Sequence, residues 1–155
     1  MKRRIIIVAL VALALGSALG WSIATLRGRH NCTFFLYGLV SGEIHAQERA
    51  ASEAYLTQPP EVARWALTAL LHTYARYGDA PEPHPGERAS TLRFASAMAH
   101  ARLADVCARL NQGDQRKHHL EQALQLSGLP DEQSLQGAVN ALNKAEQDAL
   151  GQQAP

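Results

Sequence analysis

"LADVCARLNQGDQRKHHLEQALQL", residues 103–126, contains two helical runs and the break between them. Going back from its start, Leu92, Ala95, Ala99, Leu103, Val106 and Leu110 recur at intervals of three, four and seven residues. That spacing puts them on one face of a helix over 87–112. Gly113 interrupts the pattern, and Asp114 is placed to cap a shorter helix through Ser127, with Leu120, Ala123 and Leu124 inward. Two apolar stripes separated by so short a turn predict antiparallel neighbours. The many alanines of the first run permit close approach.

The same periodicity extends in both directions. A helix over 33–56 carries Val40, Ile44, Ala51, Ala54 and Tyr55 on one stripe. "TQPPEV" ends it, and Pro60 suits the first turn of the next helix, where its missing N–H costs nothing. Over 60–79 the expected inner face is Val62, Trp65, Ala66, Ala69, Leu70, Thr73 and Tyr77, and Gly78 is the expected stop. "DAPEPHPGE", residues 79–87, holds three prolines and reads as a loop. After "GLPD", Asp131 caps a last helix whose expected inner face is Leu135, Ala138, Val139, Leu142, Ala145 and Ala149. No stretch alternates as a strand does. The chain thus reads as all-α: an N-terminal transmembrane segment (1–30), a body of about five antiparallel helices (31–150) and a disordered tail (151–155).

Within 103–126, Leu103-Ala104 sets a large residue before a small one, and Ala123-Leu124 sets a small residue before an apolar one. The separation of these pairs, the Gly-Asp turn and the later Pro130 resemble a tetratricopeptide helical hairpin. Two positions depart from that pattern: Gly113 comes two residues late, and Arg116 stands where a small residue packs. The resemblance covers about a fifth of the chain. It implies TPR-like stacked hairpins that bind a partner on a concave helical face, and it implies no catalysis.

"MKRR" precedes 22 uncharged residues, 5–26. As a helix they reach about 33 Å, enough to cross a hydrocarbon core of about 30 Å. Ile5, Val8, Leu15, Trp21 and Leu26 are the expected membrane-anchor residues, with Trp21 near an interface. A removable signal peptide cut after Ala18-Leu19-Gly20 is the alternative, and it would leave a soluble periplasmic protein. Continuation of the apolar run past Gly20 favours retention. Lys2, Arg3 and Arg4 against Arg27 and Arg29 favour a cytoplasmic N-terminus in the inner (plasma) membrane, with the body extracytoplasmic.

Residues 1–30 hold five Lys/Arg and no acid, whereas 31–155 hold ten Lys/Arg against fourteen Asp/Glu. An acidic body lacks the electrostatic footprint of a nucleic-acid binder. Twelve Arg against three Lys suggest a GC-rich bacterial genome. Cys32 and Cys107 make no metal-type pair; they could bridge or stay as thiols. His100 and Cys107 share a helix face, but no His-x3-His pair accompanies them, so no metal site is expected. No nucleophile motif or phosphate loop occurs, and neither a catalytic residue, a cofactor nor a small-molecule substrate is expected. Trp65, Tyr74 and Tyr77 form an aromatic stripe that either packs a core or anchors a protein partner. Arg109, Arg116 and Lys117, with His118 and His119, form a basic patch around Gly113 that could meet an acidic partner. The expected function is a membrane-anchored, non-catalytic protein that binds or organises a partner at the cell envelope. A metal-binding protein or enzyme using isolated histidines is the third reading.

Overall fold

A computed structural model describes residue 25, residues 36–78 and residues 87–151. Over 36–151 the described residues form five helices and no strand. They are α1 (residues 36–57), α2 (Pro60–Tyr77), α3 (Glu87–Arg109), α4 (Gly113–Ser127) and α5 (Glu132–Gly151). None of them is long and apolar enough to cross a membrane. The expected spanning segment, with Ile5, Val8, Leu15, Trp21 and Leu26, lies outside the described residues. So do Cys32 and most of the expected proline loop.

Each helix end has a local cause. Pro59 precedes α2 in extended geometry, and its carbonyl accepts from the N–H groups of Val62 and Ala63, both at 3.0 Å. The expected Gly113 break is displaced. Asn111 makes the turn at φ 57°, while Gly113 opens α4. Asparagine tolerates this left-handed geometry better than other residues with a Cβ. The Gln112 N–H reaches the Cys107 carbonyl (2.9 Å) and the Asn111 N–H reaches Ala108 (3.1 Å), closing α3 in a Schellman pattern. Asp114 is therefore an acid in the first turn of α4 and makes no side-chain cap. Gly128, at φ 69°, ends α4. Asp131 does cap α5: its Oδ1 accepts from the Ser134 N–H at 2.7 Å, which holds the carboxyl below its usual range. The last helix continues through Gly151, one residue into the expected tail.

Cross-helix hydrogen bonds give the order of the layers. Tyr74 and Tyr77, late in α2, reach Glu48 near the middle of α1 and Glu43 towards its start. Arg64, early in α2, reaches Gln112 just past α3. Arg93, early in α3, donates to the Leu126 carbonyl late in α4. Successive helices from α1 to α4 are thus antiparallel. The fifth departs from that rule. It starts beside the later part of α3, where Leu135 and Gln136 flank Ala104 and Ala108, and runs back past Met98 to α1.

Two apolar clusters share α3 as their common wall. One joins Ile44, Ala51 and Tyr55 of α1 to Ala63, Leu67 and Leu70 of α2 and to Leu92, Leu103 and Val106 of α3. The other joins Ala97, Met98 and Ala101 of α3 to Ala123 of α4 and to Leu135 and Val139 of α5. A helix buried on two sides needs small residues on both, which explains the alanines of 95–108. Fully burying one leucine contributes about 2 kcal/mol, so these clusters carry most of the stability.

Two expected faces are corrected. In α2 the buried set is Ala63, Ala66, Leu67, Leu70 and Tyr74, while Val62 and Trp65 face outward. The helix is rotated because Leu67, fully buried, takes the central position against α3. In α5, Ala145 and Ala149 are exposed, since the helix leaves the second cluster after Leu142 and ends over α1.

Candidate functional site

Burial and pairing distinguish the candidate residues. Trp65 is 74% exposed, with Val62, one turn earlier on α2, at 44%. Tyr74 lies in the core, 5% exposed, and its hydroxyl donates to Glu48 Oε1 at 2.8 Å. Burial, reinforced by the Glu48 carboxylate, pushes that phenol far up, so it stays protonated. Tyr77 is half-buried and donates to Glu43 at 2.5 Å. The three aromatics therefore form no cluster: two tie α2 to α1, and the third stands alone on the opposite face.

The basic patch is likewise divided. Arg109 pairs with Asp105 at 2.9 Å and lies 5.0 Å from the centre of the Tyr55 ring. Arg116 crosses to Glu132 at 2.7 Å, tying the start of α4 to the start of α5. Both pairs are exposed, and such pairs contribute at most about 1 kcal/mol. Lys117 and His118 are exposed.

The residue that sequence reading missed is Arg102. It is the one buried charged or polar residue among those described, at 4% exposure. Its guanidinium Nε and Nη2 both donate to Asn143 Oδ1, at 3.1 and 2.8 Å. Nη1 donates to Ser52 Oγ at 3.0 Å, and Nη2 pairs with the Glu146 carboxylate. Ser52 in turn donates to the other Glu146 oxygen at 2.8 Å. The Tyr55 ring covers the guanidinium, its centre 5.1 Å from the Arg102 Cζ. Arg102 thus joins α1, α3 and α5 through a closed ring of hydrogen bonds, which a desolvated charge requires. A partial signal was present in the sequence: Arg102 stands among small and apolar residues over 97–107, although the same run holds His100 and Asp105, which keep solvent access.

Beside this ring lies a cleft of about 260 Å³, bounded by Leu67, Leu70, Phe94, Met98, Leu142 and Glu146. A second, of about 320 Å³, adjoins it between His45 and Arg49 of α1 and Ala149 of α5.

The seam between α3 and α4 holds a histidine pair. His100 Nδ1 and His119 Nδ1 are 3.0 Å apart, so one ring donates and the other accepts. Burial, aided by His119 and His118, pushes His100 down to about 4; burial and His118 push His119 down too. Cys107 does not join them: it is fully buried as a free thiol, its Sγ 3.9 Å from Gln115 Oε1. Burial raises this thiol, keeping it protonated and unreactive. Among the described residues no group of three or more His, Cys, Asp or Glu converges to hold a metal.

No family model matches the sequence, and no curated protein or solved structure matches it either.

Proposed function

We propose that this protein is a membrane-anchored, non-catalytic helical protein that binds or organises a protein partner at the cell envelope. The observation that carries the reading is an exposed apolar pair on α2, Val62 and Trp65. One face of this helix already packs the core through Leu67, Leu70 and Tyr74. The other presents Trp65 and Val62 to solvent. Exposed tryptophan is costly to leave in water and contributes strongly to protein interfaces. On this reading α1–α2 and α3–α4 are two stacked, tetratricopeptide-like hairpins, and Trp65 is the anchor on their outer surface. The apolar run 5–26 and its basic flanks support the membrane anchor, with the body outside the cytoplasm. Arg109, Arg116 and Lys117 are a secondary contact region, since two of the three already hold carboxylates.

Photo-crosslinking from position 65 in native membranes tests the partner. A defined adduct that disappears with Val62→Asp supports the surface, and an absence of any adduct at 65 removes it. The anchor is tested separately, through retention of Met1 in membranes washed at alkaline pH. A mature chain beginning at Trp21 would instead establish the soluble periplasmic form.

A further inference from the structure

The seam between α3 and α4 brings together two imidazoles that stand 19 residues apart in the chain. Ala97 and Ala101 on α3 and Ala123 on α4 are buried beside them, so the helices approach closely and the rings meet. His100 Nδ1 and His119 Nδ1 lie 3.0 Å apart, with ring centres 5.2 Å apart and ring planes tilted by 34°. Both rings are half-buried, so water still reaches them. The contact depends on tautomer. Two neutral imidazoles share a hydrogen here only when one carries it on Nδ1 and the other on Nε2. When both carry it on Nε2, two lone pairs face each other, and a cation between them is stabilising. Two nitrogens held by one ion at about 2.0–2.1 Å, at angles from square to tetrahedral, stand about 2.9–3.4 Å apart. The His100–His119 separation falls inside that range.

We infer that His100 and His119 form a chelating site for one first-row divalent cation, zinc or copper, bridging α3 and α4 through their Nδ1 atoms. On binding, the hydrogen shared between the rings leaves Nδ1 for water, and the ring that gave it takes one up on Nε2. Both rings stay neutral, and no net proton is released. Imidazole nitrogen selects zinc, copper or nickel over magnesium and calcium, which prefer oxygen. Water fills the remaining positions, since among the described residues no third His, Cys, Asp or Glu joins the pair. Cys107 stays apart, its thiol against Gln115. The ion is therefore exchangeable rather than structural: the two apolar clusters hold the fold without it. When bound, it clamps the α3–α4 hairpin, and a chelator returns the pair to its mutual hydrogen bond. This inference does not rest on the partner-binding reading and uses none of its residues.

The test uses the full chain in detergent, stripped with a chelator, and zinc as the probe, read by titration calorimetry. The wild type should bind one zinc ion more than either His100→Ala or His119→Ala. Loss of one imidazole reduces a chelate to a single ligand, which should weaken the site about a hundredfold. The other histidines and Cys32 are common to all three chains, so the difference isolates the pair. Magnesium in equal amount should not compete. Copper, being paramagnetic, should broaden the amide resonances around residues 100 and 119 on both helices of the wild type, a readout that holds should either alanine variant fail to fold. Wild-type zinc affinity in His100→Ala, displacement by equimolar magnesium, or broadening confined to α4 overturns the inference.

Discussion

Where α3 meets α4, Ala97 and Ala123 are fully buried and Met98 and Ala101 nearly so, with apolar atoms on both sides. Where α5 reaches α1, the contact is made instead by Ser52, Arg102, Asn143 and Glu146, beside two open clefts. The first seam is held mainly by burial, with the His100–His119 and Arg93–Leu126 hydrogen bonds at its margins. The second exchanges hydrogen bonds with water or with another polar partner at modest net cost. The molecule thus has a dry centre on α3 and a polar, replaceable edge on α5.

Substitutions at the two regions should differ in size and in kind. The largest effect is expected at the dry centre. Leu103, 1% exposed in the first cluster on the other side of α3, should lose about 3–4 kcal/mol on truncation to alanine, in a single cooperative transition followed by urea denaturation. Glu146→Gln should cost less, about 2–3 kcal/mol, since Glu146 keeps 26% exposure while Arg102 keeps 5%. Arg102→Met should cost less still, because the remaining carboxylate can turn to water whereas the unpaired guanidinium cannot. An Arg102→Met loss larger than that of Glu146→Gln would show the ring to be a net stabiliser rather than a device of specificity.

Acid should act on the centre through the histidines. The folded pair stays neutral, held down by burial, while unfolded histidine titrates near 6.5. As pH falls from 6.5 towards 4 the unfolded chain takes up protons that the fold refuses, so stability declines across that window. Allowing for solvent at the pair, the loss attributable to His100 is about 1–2 kcal/mol, and His100→Phe should abolish most of this slope. Trp65→Ala should shift stability least, by no more than about 0.5 kcal/mol, because its side chain touches neither region. A larger shift would place Trp65 in the folded body rather than on a binding face.

Much of this body was legible in the sequence. The stripe Leu92–Ala99–Leu103–Val106 marked the central helix, and Asp131 marked the start of α5, because period and caps are local properties. What escaped was rotation and crossing. Trp65 and Leu67 are two residues apart on an alanine-rich helix, and apolar spacing alone permits either to face inward; packing against α3 selected Leu67. Asn111 and Gly113, two residues apart, can each adopt the left-handed turn, and local pattern does not choose between them. The Arg102 ring joins residues 41 to 94 positions apart in the chain, a distance no local pattern spans.

Native-state hydrogen exchange compares the two regions within one molecule. The amides of Leu103 to Cys107 in α3 should exchange only through global unfolding. Those of Asn143 to Gln147 in α5 should exchange at least a hundredfold faster through local opening, and faster again in Glu146→Gln, with α3 protected as long as the chain is folded. Equal protection of α3 and α5, falling together on that substitution, would contradict a dry centre with a replaceable edge.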